Sequence, residues 1–182
     1  MIILNQILVI FKLMYKFLVY FVFLVFFLGF VSCLKRNQYP PVPNVEYKSF
    51  QNFQADSAFF TFKFTDGDGD FGLTSADTTG NYAKTSVYYY NLYIKYLYKK
   101  PDGSWSAFFN PNPLVNDTQY YKFRVPLIDQ QGKDKSMNGE VRVKLSELRP
   151  SSTHKNIKYV FYIFDRSFNQ SNIATTPEFV LP

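Results

Sequence analysis

Asp66-Gly67-Asp68-Gly69-Asp70-Phe71-Gly72 is the stretch of this 182-residue chain with the plainest chemical meaning. Three carboxylates stand at alternate positions with glycines between them, and glycine permits the sharp turn that lets alternate side chains converge. Converging carboxylate oxygens suit a hard cation, and Ca²⁺ in a structural role is the expected ion. The plain alternative is a solvated loop whose aspartates merely favour turns. Against it, three negative charges within five residues repel one another unless compensated. The connection over residues 66–85 is also long enough to need a reason.

Counted in the frame of an EF-hand loop, Asp66, Asp68 and Asp70 fall at positions 1, 3 and 5. The Gly72 carbonyl falls at position 7 and Asp77 at position 12. Phe71 stands where that frame has glycine, and Asp77 where it has the longer glutamate. No helical pattern flanks the loop. The expectation is an EF-hand-like calcium loop set between strands, and not an EF-hand.

Elsewhere the chemistry is sparse. Cys33 is the only cysteine, so the chain has no internal disulfide. It follows an uncharged, almost wholly apolar run from Phe17 to Val31, with Lys12 and Lys16 before the run and Ser32 after it. A basic start, an apolar core and a small residue before the cut are the parts of a secretion signal. A membrane span needs about 20 apolar residues, more than this core supplies. Phe30-Val31-Ser32-Cys33 resembles the lipobox of bacterial lipoproteins, with Phe30 in place of the usual leucine. That resemblance implies that Cys33 becomes the acylated (palmitate-bearing) N-terminus of the mature chain. The apolar run Ile2 to Leu13 is unusual ahead of a signal, and a start at Met14 gives the ordinary layout.

His154, the single histidine, sits beside the polar Ser151-Ser152-Thr153 and is expected to be exposed and inert. It has no serine or cysteine partner motif, so nucleophilic catalysis lacks support and a non-enzymatic protein is expected. Trp105 with the outward Tyr89 and Tyr93 forms a candidate platform for sugar rings. Removing residues 1–32 takes Lys12 and Lys16, leaving 18 basic against 14 acidic residues, a net +4. No nucleic-acid motif accompanies that modest charge, so a nucleic-acid partner is not expected. It suits anionic lipid, an acidic glycan or an ordinary solvated surface.

The elements that must position these residues read as strands. Leu34 to Val45 carries three prolines and no periodicity, a tether in the boundaries 33–47 ahead of a domain over 48–182. Ser57 to Thr65 alternates, with Phe60, Phe62 and Phe64 on one face. Ser86 to Lys99 reads as one long strand with Tyr88, Tyr90, Leu92, Ile94, Tyr96 and Tyr98 on one face. Pro101-Asp102-Gly103 is a turn that returns Ser104 to Phe109 as a hairpin. Tyr120 to Val125, Glu140 to Leu145 and Ile157 to Asp165 alternate again, and Asn172 to Val180 closes the chain. Short strands between turn signals, with no helical period in the domain, predict an all-β antiparallel sandwich.

Tyr159-x-Phe161-x-Ile163-x-Asp165, then Asn169-x-Ser171-Asn172 and Thr175-Thr176-Pro177, resembles the final hairpin of bacterial immunoglobulin-like and fibronectin type III-like domains. Such domains often read Y-x-V-x-V-x-D-x-A-G-N-x-S there, where this chain has Ser167-Phe168-Asn169. The resemblance makes Tyr159 a candidate tyrosine corner. It also makes residues 66–85 the B–C loop, sharing an end of the sandwich with 166–171, so that Asp165 or Asn169 could add an oxygen to the cation site. The whole layout resembles small uncharacterised lipoproteins of Bacteroidetes. Leu34 is not the aspartate that resembles an inner-membrane retention signal, and Lys35-Arg36-Asn37 is not an acidic surface-export run. The expectation is an outer-membrane lipoprotein on the periplasmic face, a structural or interaction module with a protein or glycan partner. A carbohydrate-binding lipoprotein is the alternative.

Overall fold

The computed structural model describes residues 12–23, 39–54, 57–108, 120–128, 135–147, 149 and 151–181. The chain divides into two units, Met1–Asn37 and Gln38–Pro182. In the first, residues 12–23 are helical and exposed along their whole length. Among the described residues no helix is long and apolar enough to cross a membrane. Cys33 and the lipobox lie outside the described residues.

In the second unit the described residues form antiparallel strands in two sheets. The first sheet has the order β1-β2-β6, from β1 (Asn44–Gln54), β2 (Ser57–Asp66) and β6 (Met137–Leu145). The second has the order β4-β3-β7-β8, from β3 (Leu92–Lys99), β4 (Trp105–Ala107), β7 (Asn156–Ile163) and β8 (Ala174–Thr175). β5 (Tyr120–Phe123) also pairs with β3, and β9 (Phe179–Val180) with β7. Alternation decides which side chains fill the space between the sheets. Phe60 and Phe62 from β2 are wholly buried, as are Leu92, Ile94 and Tyr96 from β3 and Ile157, Tyr159, Phe161 and Ile163 from β7. The Phe161 ring meets Phe60 at 5.0 Å and Phe62 at 5.3 Å, which ties the two sheets together. Each such side chain contributes about 1.5–3 kcal/mol of burial.

Three expectations need correction. β1 begins at Asn44, inside the stretch expected to be tether. Val45 is buried, and the Asn172 side-chain amide pairs with its backbone, accepting from Val45 N at 2.7 Å and donating to Val45 O at 2.9 Å. The strand expected over 86–99 begins only at Leu92, because Ser86 Oγ accepts from Tyr88 N and winds Val87–Tyr89 into a 3-10 turn. Asn91 then holds Val125 as another strand would, through Val125 N at 2.6 Å and Val125 O at 3.0 Å. His154 is not an idle loop residue either. It is half-buried, stacks on Tyr98 at 3.8 Å, and its Nδ1 lies 3.0 Å from the hydroxyl of the buried Tyr96. Burial and then the Arg149 charge hold its pKa below the usual imidazole value.

Candidate metal centre

β2 keeps its alternation to its last residue. After Phe60, Phe62 and Phe64 the next inward position is Asp66, which is 0% exposed. Beyond the end of β7 the alternation continues, and Asp165 follows Ile163 inward at 3% exposure. Each sheet thus brings one buried carboxylate to the end of the sandwich where the two loops meet, as the Ser167 Oγ to Asp70 Oδ2 hydrogen bond of 2.7 Å shows.

The two buried carboxylates differ in how they are satisfied. Asp165 accepts from Asn169 N on Oδ1 at 2.7 Å and from Asn169 Nδ2 on Oδ2 at 2.9 Å. Burial raises its pKa, and those two hydrogen bonds oppose the rise. Asp66 accepts from Phe71 N on Oδ2 at 2.8 Å, while its buried Oδ1 has no hydrogen-bond partner. Burial pushes its pKa up to about 7, helped by a hydrogen bond with the Asp68 carboxyl and by the Asp68 and Asp70 charges, and opposed by the Phe71 amide. Asp70 Oδ1 is likewise buried without a partner. A buried carboxylate oxygen left bare is costly, by several kcal/mol when charged.

One oxygen from each of Asp66, Asp68 and Asp70 lies within 4.8 Å of the others. Two oxygens bound to one Ca²⁺ at 2.3–2.6 Å can stand no more than about 5 Å apart, so the group needs little adjustment to share an ion. The three residues could therefore hold a metal ion, and the bare oxygens of Asp66 and Asp70 are of the donor type such an ion takes. The glycines between them are required by close backbone approach. At Gly69, which has φ +68°, a Cβ would lie 1.8 Å from Lys135 O. Gly67 donates its N–H to Pro40 O at 2.8 Å, and a Cβ there would lie 2.1 Å from Tyr39 O.

Protein-family models, curated proteins and solved structures were compared with the chain. None of them matches. The site therefore rests on its own geometry.

The EF-hand frame breaks after Asp70. Gly72 lies close against Pro126 and Leu127, where a Cβ would stand 2.4 Å from Leu127 Cα, and Leu73 pairs there with Val125 and Leu127 through backbone hydrogen bonds of 2.9 and 3.1 Å. Asp77 is a correction as a ligand, since it stands outside the three-carboxylate group. Its Oδ2 accepts from Thr74 N at 2.7 Å and Thr74 Oγ1 at 2.9 Å, and Arg166 pairs with both of its oxygens. The Arg166 guanidinium is the main reason its pKa falls to about 2. Asn169 serves the Asp165 turn. Arg166 and Ser167, which tie the two loops together, were invisible to a carboxylate count.

The candidate platform is not assembled either. Tyr93 is 8% exposed and stacks parallel to Tyr162 at 5.4 Å. Tyr89 lies under the Arg124 guanidinium at 4.7 Å. Trp105 pairs with Lys99, six residues along β3 from Tyr93 and so about 20 Å away. Its ring is flanked by Lys158 Nζ at 4.3 Å and Lys99 Nζ at 5.6 Å.

Proposed function

We propose that this chain is a non-enzymatic, lipid-anchored module of the bacterial cell envelope, of immunoglobulin-like or fibronectin type III-like type, whose loop after β2 holds a structural Ca²⁺. The observation that carries the ion is the bare, fully buried Oδ1 of Asp66, beside two further carboxylates and unlike the satisfied Asp165. Ca²⁺ suits this irregular turn better than Mg²⁺, which demands near-octahedral geometry. With no disulfide, an ion at the end of the sandwich is the staple that packing alone does not provide.

The strand order supports the fold type. β1-β2-β6 and β4-β3-β7-β8 correspond to A-B-E and C′-C-F-G of those domains. Phe168, at the glycine position of the family pattern, has φ +66° and is the only non-glycine described residue in the left-handed region. Its ring lies against Tyr88 at 4.6 Å and Tyr82 at 5.5 Å, contacts that offset the strain. For the anchor, the support is the lipobox and an exposed helix whose Phe17, Tyr20 and Phe21 are each more than half exposed.

Calorimetric titration with Ca²⁺ tests the site directly. Saturable binding with a raised melting temperature that chelator reverses is the expected result. No heat, and a melting temperature unmoved by chelator, would sink the cation reading. Labelled palmitate incorporated into the wild type and lost in Cys33→Ala tests the anchor, and outer-membrane fractionation tests its location.

A further inference from the structure

The sheet edges of this domain are not guarded alike. An edge strand carries unpaired N–H and C=O groups, and proteins protect it by keeping it short, bulging it or covering it. In the second sheet the outlying strands are short: three residues in β4, four in β5 and two in each of β8 and β9. In the first sheet β1 is long, but its pairing with β2 slips at Tyr47–Ser49 and again at Asn52–Gln54. The Asn172 side chain also plugs the β1 backbone at Val45. β6 has none of these protections. Its nine residues pair with β2 without a slip and contain no proline. Among the described residues no strand lies along its other side.

The outward charges of β6 lean away from that edge. Glu140 reaches across the sheet to Lys48 on β1, at 2.5 Å. Arg142 reaches Gln51 Oε1 on β1 at 3.2 Å, with its guanidinium 4.0 Å over the Phe59 ring of β2. On the inward face Val141 and Val143 are only half-buried, so the core is open at the same margin. We propose that this edge takes a second copy of the chain, β6 against β6, antiparallel about a two-fold axis at Val141. The two three-stranded sheets then form one continuous sheet. The charges choose the register, because opposite charges facing across strands stabilise and like charges destabilise. With Val141 on the axis, Glu140 faces the partner's Arg142 at two symmetric crossings, and Val143 faces the partner's Gly139. With Arg142 on the axis two guanidiniums meet, and with Glu140 two carboxylates. With Val143 on the axis Arg142 meets the partner's Lys144 twice. The Lys48–Glu140 pair is exposed, at 42% and 45%, so Glu140 is free to share its charge. The join needs neither the cation nor the lipid anchor.

Sedimentation of the full chain tests the join, in a large excess of detergent micelles so that two chains do not share one by chance. A dimer is expected at sub-millimolar concentration. Glu140→Arg and Arg142→Glu each set like charges opposite one another at both crossings, and each should weaken the dimer at least tenfold. Glu140→Arg/Arg142→Glu exchanges the charges and should restore it, a recovery that a role within one chain would not give. A second measurement holds even where a single variant folds poorly. Val141→Cys, on the axis, should form an intermolecular disulfide on mild oxidation, beyond any that the wild type forms through Cys33. Val143→Cys should not, since its copy stands four residues along the facing strand, about 13 Å away. A wild type that stays monomeric overturns the proposal and leaves the edge to a strand of another protein. Single variants that dimerise as the wild type does, a double variant no better than the singles, or Val143→Cys linking as readily as Val141→Cys also overturn it.

Discussion

Asp66→Asn is the perturbation on which the cation reading turns. In the ion-free fold the Asp66 carboxyl has a pKa of about 7 against an ordinary 3.8, so the folded chain holds its proton more tightly than the unfolded chain does. The sign is therefore the reverse of that for a salt-bridged aspartate. Stability is greatest at low pH and is lost as pH rises towards and through 7. Each pH unit is worth about 1.4 kcal/mol, so the whole loss is at most about 4 kcal/mol, a large share of a typical 5–15 kcal/mol. At roughly 3 °C per kcal/mol for a domain of this size, the chelated wild type should melt about 5–10 °C lower at pH 8 than at pH 5. Asparagine keeps an oxygen to accept from Phe71 N and removes the ionisation. Asp66→Asn in chelator should therefore lose most of that slope and melt above the wild type at pH 8. With saturating Ca²⁺ the wild type should recover, and the variant should respond little or not at all. Thermal melts at the two pH values, with chelator and with Ca²⁺, decide the matter. A chelated wild type whose melting temperature is flat or rises from pH 5 to 8, or a variant as responsive to Ca²⁺ as the wild type, would refute the reasoning.

Gly69→Ala places a Cβ 1.8 Å from Lys135 O on a backbone at φ +68°, and should cost more than about 2 kcal/mol in urea unfolding. Gly80→Ala, at φ +57° with nothing within 4 Å, should lose only about 1 kcal/mol for the left-handed backbone. Asp77→Asn should cost about 1–2 kcal/mol at pH 7, since the pair with Arg166 is largely shielded on the aspartate side, at 13% exposure. Its pKa of about 2 lies below the ordinary 3.8, so that contribution is present above pH 4, fades as pH falls through 2, and the two melting curves should converge there. Because Gly67 N holds Pro40 O at 2.8 Å, Ca²⁺ should slow backbone hydrogen exchange at Gly67, Phe71 and the flanking amides of Tyr39 and Val42. Unchanged exchange there in a protein that binds Ca²⁺ would show the ion is not coupled to the incoming chain.

Much of the sandwich was legible because period-two burial is written directly in β2, β3 and β7. Phe60, Phe62 and Phe64, or Ile157, Tyr159, Phe161 and Ile163, leave no other face to bury. What was not legible depended on side chains that substitute for backbone. Tyr88 and Tyr90 alternate as strand residues would, yet a single hydroxyl at Ser86 winds Val87–Tyr89 into a turn. Asn91 and Asn172 each pair with a backbone residue 34 and 127 positions away, and nothing local announces such a partner. Asp77 was misplaced for a related reason. Counting twelve positions assumes one continuous loop, but the chain leaves the turn at Gly72 to pair with Val125 and Leu127. His154 has a role only because β3 brings Tyr96 and Tyr98 beneath it.

The same alternation also explains why the candidate cation site is where it is. A strand that buries positions 60, 62 and 64 must bury 66 as well unless it ends first, and β2 runs through to Asp66. The chain thereby drives a carboxylate into its core, and it does so again at Asp165 after Ile163. At 165 the following turn returns Asn169 to meet the charge with two donors. At 66 the following turn returns Asp68 and Asp70, which add charge, and a single amide from Phe71. Two strands with one design thus end in opposite electrostatics. A turn that answers a buried carboxylate with two more carboxylates is destabilising on its own terms, and a bound divalent ion would turn that liability into a source of binding energy.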